Sequence, residues 1–158
     1  MNENLKVRGI VSYVLRDKDG NIKEERVVQN QIQNLGLAAF ASLIATDNPQ
    51  SSDTFDWIGI GSGSGQAVTD TTLDTEITTN GGQRRGGADV TATSETTNVA
   101  NDTVQFVTVF NFTGSLAITE AGIFNASTNG VMCAYQDFGV INVANGDNLQ
   151  ITWKIVFS

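Results

Sequence analysis

The stretch LQITWKIVF, residues 149–157, alternates apolar and polar side chains along nearly its whole length. Successive side chains of a β-strand point to opposite faces, so positions 149, 151, 153, 155 and 157 share one apolar face if the chain is extended. The pattern therefore predicts a half-buried strand close to the end of the sequence. We expect these residues to be held in a sheet.

Alternating segments recur before this strand and are separated by turn residues. Residues 4–16 alternate, the turn DKDGN follows at 17–21, and residues 22–28 return as a second strand. The same signals predict further strands at 55–61, 88–97, 104–112, 121–125 and 131–138.

One segment has a helical period. The apolar residues of NLGLAAFASLIA, 34–45, recur at helical spacing, with Asn34 as the expected N-cap, and a polar linker follows at 46–53. Residues 1–158 are therefore predicted to form one mainly β domain, a β-sandwich or barrel-like fold of antiparallel strands with one short helix near 34–45. The predicted core consists of Phe40, Leu43, Trp57, Ile58, Phe106, Phe110, Phe124, Trp153, Ile155 and Phe157.

The stretch WIGIGSGSG, residues 57–65, raises the question of a phosphate-binding loop. A dinucleotide fingerprint needs glycines at positions i, i+2 and i+5, and a P-loop needs a lysine after its second glycine. Counting from Gly59 the third position is Ser64, and no lysine lies between Lys23 and Lys154. The stretch is therefore predicted to be a buried strand followed by a turn.

Composition excludes several classes of function. The chain has no histidine and one cysteine, Cys133, so it lacks the residues for Ser-His-Asp or Cys-His catalysis and for a zinc site. We expect no cofactor and a Cys133 side chain in the core. The net charge of -8 argues against nucleic acid and an anionic membrane as partners. No apolar run is long enough for a transmembrane helix, and residues 1–9 show no export signal.

The basic residues are unevenly distributed. Residues 1–26 hold six of the nine, and two more stand in the glycine-flanked QRR segment at 83–85. Both groups fit a solvated surface, and both are also candidate contacts with a partner protein. The 1–28 hairpin is a candidate contact arm, and the 83–85 segment is either a docking loop or a loop that orders only in an oligomer. The candidate contact residues are Lys6, Arg8, Arg16, Arg26, Gln83, Arg84 and Arg85.

Two acidic features invite a chemical interpretation. Asp70, Asp74 and Glu76 form the densest carboxylate group, and we expect a solvated surface there rather than a catalytic pair. Glu120 stands in the apolar run ITEAGIF, where a carboxylate is expected to cap backbone N–H groups or to pair with Arg84 or Arg85. The sequence therefore predicts a protein that is not an enzyme.

Four segments, taken in order, resemble structural proteins of tailed-bacteriophage virions. NLGLAAFASLIA is similar to a helix near the start of many such proteins, and WIGIGSGSGQAVTDTTLDTEI to their small-residue loop and D-T-x-L-x-x-E-I segment. ITEAGIFNASTNGVMCAYQDF resembles their E-A-G-L-F hairpin, and INVANGDNLQITWKIVFS resembles their closing strand. Such domains occur in capsid decoration (cement) proteins and in tail-collar or fibre proteins. The resemblance implies a β-rich domain, often trimeric, with no catalytic residues.

On this resemblance we expect a virion protein on the capsid exterior, assembled in the bacterial host cytoplasm. It is expected to form a homotrimer and to bridge subunits of the major capsid protein. A tail-collar, neck or tail-fibre component is an alternative that the same segments leave open. A carbohydrate-binding β-sandwich module is a third, with Trp57 or an exposed Tyr13 or Tyr135 as the sugar platform.

Overall fold

The computed structural model describes residues 6–45, 54–95 and 99–158. The predicted linker 46–53, the end of the strand predicted to reach Thr97, and the side chain of Leu43 lie outside this description. The described elements are β1 (Val7–Arg16), β2 (Ile22–Ile32), α1 (Asn34–Ala45), β3 (Trp57–Gly61), β4 (Asp89–Thr93), β5 (Thr103–Asn111), β6 (Leu116–Phe124), β7 (Met132–Val143) and β8 (Asn148–Phe157).

The eight strands form one antiparallel sheet in the order β3-β6-β7-β2-β1-β8-β5-β4, curled into a half-barrel. This confirms the mainly β, antiparallel, barrel-like fold with one short helix. Strand β1 lies in the middle of the sheet and pairs with β8 along its whole length. The N-terminal hairpin is therefore built into the sheet, and it presents a face rather than a projecting arm.

Strand register follows from the alternation of the sequence. Val11 is paired with Trp153, Tyr13 with Ile151 and Leu15 with Leu149, and all six side chains are buried on the inner face. A slip of one residue would turn each of these side chains toward solvent, so burial fixes the pairing. The backbone of Ser158 exchanges two hydrogen bonds with Lys6, at 2.6 and 2.9 Å, which confirms that the last residues are held in the sheet.

The sheet bends where β2 meets β7. The two strands pair only at Gln31–Tyr135 and Ile32–Ala134 and diverge beyond them. Farther along, the guanidinium of Arg26 donates to the carbonyl oxygens of Gly139 and Val140 and so spans the gap. The bend brings β7 across β1, where the Tyr13 and Phe138 rings pack with centroids 4.3 Å apart.

Helix α1 covers one end of the half-barrel. The ring of Phe40 contacts Phe55 and Phe157 edge-on, with centroids 6.3 and 5.8 Å away. The predicted N-cap is wrong by one residue, because the first helical hydrogen bond runs from the Leu37 N–H to the Gln33 carbonyl oxygen. Gln33 therefore holds the cap position, and its side chain is buried instead of capping from the surface.

Most of the predicted core is confirmed. Six predicted residues are buried: Ile58, Phe106, Phe110, Phe124, Trp153 and Ile155. Phe40, Trp57 and Phe157 are only half-buried and pack against the edge of the core. Cys133 is fully buried, as expected.

Candidate functional site

The basic residues of the N-terminal hairpin divide between two faces of the sheet. Arg8 and Arg16 alternate with the buried side chains of β1, so they lie on its outer face. Lys6 and Arg8 are exposed, and Arg16 is half-buried with its guanidinium donating to the Gly20 carbonyl oxygen at 3.4 Å. Lys6 and Arg8 lie at one end of this face and Arg16 at the other, and we call the three cations together the β1 strip.

Arg26 does not belong to the β1 strip. Arg26 of β2 is directly opposite Tyr13 of β1, so the two side chains share the inner face of the sheet. Its guanidinium is engaged by the Glu24 carboxylate and by the two β7 carbonyl oxygens described above. Arg26 therefore bridges β2 and β7 and helps to hold the curled sheet together.

Glu120 forms the centre of a buried polar site. Its side chain is completely buried, and its carboxylate accepts backbone N–H groups from Gly63 at 3.0 Å, Thr75 at 2.8 Å and Asp74 at 3.2 Å. The neighbouring Thr119 hydroxyl donates to the Gly63 carbonyl oxygen at 2.7 Å. We call this arrangement the Glu120 clasp. It confirms the predicted capping of backbone N–H groups.

The clasp explains two of the four glycines of WIGIGSGSG, Gly61 and Gly63. A Cβ on Gly61 would lie 2.2 Å from Oε1 of Glu120 and 2.6 Å from the carbonyl oxygen of Thr75. A Cβ on Gly63 would lie 2.5 Å from the side chain of Asp74. The glycines therefore make room for a carboxylate and a crossing backbone, a close approach that larger residues forbid.

Arg84 is buried in a network of its own. Its guanidinium forms a bidentate pair with Glu76, at 2.7 and 2.9 Å, and lies 3.5 Å from the centroid of the Phe124 ring. It also donates to the carbonyl oxygens of Ala126 and Asn129, at 3.0 and 2.8 Å. The predicted pairing of Arg84 with Glu120 is therefore wrong. The sequence did not indicate Glu76 as the partner, because Glu76 stands in the carboxylate group that was expected to be a solvated surface.

The loop that carries Gln83 and Arg85 closes an edge of the sheet. The backbone of Arg85 exchanges hydrogen bonds with Ile58 of β3, at 2.9 and 3.0 Å, and Ile77 donates to Ile60 at 2.9 Å. The loop is thus ordered within one chain, contrary to the alternative that it orders only in an oligomer. Gln83 is exposed, whereas Arg85 is half-buried and donates to the Gly81 carbonyl oxygen at 3.3 Å.

The remaining surface is acidic. Of the three cations after residue 26, Arg84 and Lys154 are ion-paired, the latter with Glu95, and Arg85 contacts a carbonyl oxygen. The carboxylate group predicted as solvated surface is divided: Asp70 accepts the Ala67 N–H at 2.6 Å, and Glu76 holds Arg84. Within the described ranges, no cluster of His, Cys, Asp or Glu is arranged to hold a metal ion, and no helix is long and apolar enough to span a bilayer.

Three buried groups are unsuited to contact with solvent or ligand. Burial raises the pKa of the Cys133 thiol to about 12. Tyr13 and Tyr135 are 1% and 3% exposed, and burial is the main reason that the pKa of each phenol is raised. The prediction that these tyrosines are exposed is wrong, so neither ring is available to stack on a sugar.

Comparisons with protein-family models, with curated proteins and with solved structures find no match to this chain.

Proposed function

We propose that this chain is a non-enzymatic structural protein of a tailed-bacteriophage virion. In this proposal it binds the outside of the capsid as a homotrimer and stabilises the shell by bridging subunits of the major capsid protein. Three linked copies bind together more tightly than one, because the first contact raises the effective concentration of the others.

One observation carries the proposal. The segments 57–77 and 118–138, which separately resemble parts of phage virion proteins, meet in the Glu120 clasp: Glu120 comes from the second segment, and Gly63, Asp74 and Thr75 come from the first. The similarity therefore falls on residues that fold together as one unit. This contact between the two segments supports the proposal.

The surface charges suit attachment to a protein shell. The β1 strip places Lys6, Arg8 and Arg16 on the outer face of the sheet. Arg84 and Lys154, by contrast, form ion pairs within the chain. A basic strip on an otherwise acidic domain orients its approach to a shell that is acidic at the contact.

The test is uptake of the purified protein by expanded shells of the parent phage assembled without it. We expect saturable binding in multiples of three copies per lattice site and a higher melting temperature of the shell. Arg8→Glu should weaken uptake several-fold, and the loss should shrink as salt is added. Lys18→Glu, an equal charge reversal in the exposed hairpin turn, is the matched control and should bind as the wild type does.

Two results would contradict the proposal. If the shell does not take up the protein, the chain is not a decoration protein. If the bound protein is found only at the portal vertex or tail, the chain belongs to the collar or fibre class. The carbohydrate-binding alternative has lost two of its three aromatic candidates, since Tyr13 and Tyr135 are buried. The third, Trp57, is half-buried and packs over Gly86.

A further inference from the structure

An apolar cavity of about 360 Å³ opens beside the outermost strand, β4. Phe40 and Phe55 form one wall, and Val90, Phe106 and Phe157 form the other. Thr54 is the one lining residue that is neither aliphatic nor aromatic. The sheet contributes Val90 of β4 and Val104 and Phe106 of β5 to the lining, and among the described residues Phe40 of α1 and Phe55 face them.

The two edges of the sheet differ. The edge at β3 is covered by the 76–85 loop, through the bridges of Arg85 to Ile58 and Glu76 to Gly61. At the other edge, β4 pairs with β5 on one side, and no described residue pairs with its other side. The sequence of β4, DVTAT, contains none of the lysines or prolines that commonly protect an open edge.

The open edge and the cavity are parts of one surface. Val90 belongs to β4, is paired with Phe106, and lines the cavity while remaining 45% exposed. A peptide strand added to an open edge gains main-chain hydrogen bonds, and pockets beside the edge select its alternate side chains. A small metabolite, by contrast, needs convergent polar groups to orient it, and the lining of this cavity does not provide them.

The charges at the two ends of β4 favour one kind of peptide. The Ala88 N–H donates to the Asp56 carbonyl oxygen at 3.0 Å, so Asp56 and the exposed Asp89 lie together at the start of the strand. Lys154 of β8, which is separated from β4 by β5, is ion-paired with Glu95. Lys6 lies beyond the opposite end of β4, beside Ser158. A segment with Lys or Arg at the Asp89 end complements this arrangement.

We infer that the open edge of β4 accepts an extended segment of a partner protein, which inserts a large aliphatic or aromatic side chain into the cavity and places Lys or Arg beside Asp56 and Asp89. This inference rests on the proposed function, which makes the partner the major capsid protein. It adds a second contact, chemically unlike the basic β1 strip, through which one domain binds a subunit of the capsid protein.

The test compares Val90→Lys with Val140→Lys in binding to shells of the parent phage that lack this chain. Both valines lie in strands and are 45% exposed, so the two variants make the same change in charge at sites of equal exposure. We expect Val90→Lys to weaken binding about tenfold or more and Val140→Lys to change it less than twofold. Asp89→Lys should weaken binding several-fold.

Hydrogen exchange provides a second readout that does not depend on a variant folding. Backbone amides of residues 89–93 should exchange more slowly on the shell than in the free protein, because an added strand pairs with the open edge. Equal binding of the two valine variants, with unchanged exchange at β4, would overturn the inference while leaving shell binding intact. A wild-type chain that does not bind shells would refute the proposed function and this inference together.

A different occupant would also be detected. If light scattering shows that Val90→Lys dissociates an oligomer of the free protein and the shell contact is unaffected, the edge is occupied by a second copy. That result would refute a capsid segment as the occupant.

Discussion

Replacing Glu120 with glutamine removes one acceptor and the charge while preserving the shape of the side chain. Oε1 accepts the N–H groups of Gly63 and Thr75, and Oε2 accepts that of Asp74. In Glu120→Gln one of these oxygens becomes an NH₂ group, which cannot accept. If the amide keeps its oxygen toward Gly63 and Thr75, its nitrogen faces the Asp74 N–H and that bond is lost.

The magnitude follows from the number and kind of bonds. A hydrogen bond to a charged group contributes about 1.5–3 kcal/mol net and a neutral one about 1 kcal/mol. At the lower value of about 1.5 kcal/mol for each charged bond, one lost bond and two weakened bonds together cost about 2.5 kcal/mol. We therefore expect Glu120→Gln to lower the free energy of unfolding by about 2–3 kcal/mol, and Glu120→Ala, which loses all three bonds, by about 5 kcal/mol.

Urea denaturation followed by tryptophan fluorescence measures the change. With a slope of about 2 kcal/mol per molar urea, the midpoint should fall by about 1 M, and the melting temperature by about 5–10 °C. Glu25→Gln is the matched control, since the same substitution at an exposed position of β2 should stay within about 0.5 kcal/mol of wild type. Hydrogen exchange should also show faster opening at Gly63, Asp74 and Thr75.

The clasp would be refuted as a stabilising element if Glu120→Gln and Glu25→Gln unfolded at the same urea concentration. Unchanged exchange at the three amides would independently lead to the same conclusion. A loss of stability with unchanged exchange at these amides would place the effect elsewhere in the core.

Three further predictions concern single residues. Arg84→Met leaves the Glu76 carboxylate without its partner and should lower the free energy of unfolding, measured by urea denaturation, by about 3–5 kcal/mol. The control variant Arg85→Met should lower it by less than about 1 kcal/mol. Equal losses in the two variants would contradict the Arg84 network. Burial raises the pKa of the Cys133 thiol to about 12. A thiol reagent at pH 8 should therefore react with Cys133 in the unfolded chain and not in the native protein. Rapid labelling of the native protein would show that the thiol is accessible and would contradict its burial. Hydrogen bonds from Asn21 lower the pKa of Asp17, so this carboxylate stabilises the turn above its unfolded pKa and loses that effect as the pH falls through its folded pKa. In a carbon-detected NMR titration, the midpoint of Asp17 should rise in the Asn21→Ala variant. An unchanged midpoint would exclude the side-chain contact.

The fold was predictable where alternation and burial agree. The pattern LQITWKIVF places Trp153 on an apolar face, and the structure buries it against Val11 of β1. Strand lengths were less predictable: β7 continues to Val143, five residues beyond the predicted end, because pairing with β6 resumes at Ile141 after an irregularity that leaves residues 138–140 out of register. Such an irregularity interrupts the alternation, so periodicity does not follow a strand across it.

The polar site was predictable only in part. A carboxylate within ITEAGIF had to be satisfied, and the structure satisfies Glu120 with backbone N–H groups, one of the two expected ways. The partner of Arg84 was not predictable, since choosing Glu76 requires knowing which loop crosses β3. The burial of Tyr13 was implied by its alternation with Val11 and Leu15, and interpreting it as an exposed sugar platform went against that pattern.

The proposed function depends on attachment to the capsid exterior, which a cryo-electron microscopy reconstruction of parent-phage shells saturated with the purified chain would make visible. We expect β-rich density on the outer surface, repeated at equivalent lattice sites in sets of three and touching more than one capsid subunit. A bare outer surface, with density confined to the portal vertex or tail, would contradict this attachment.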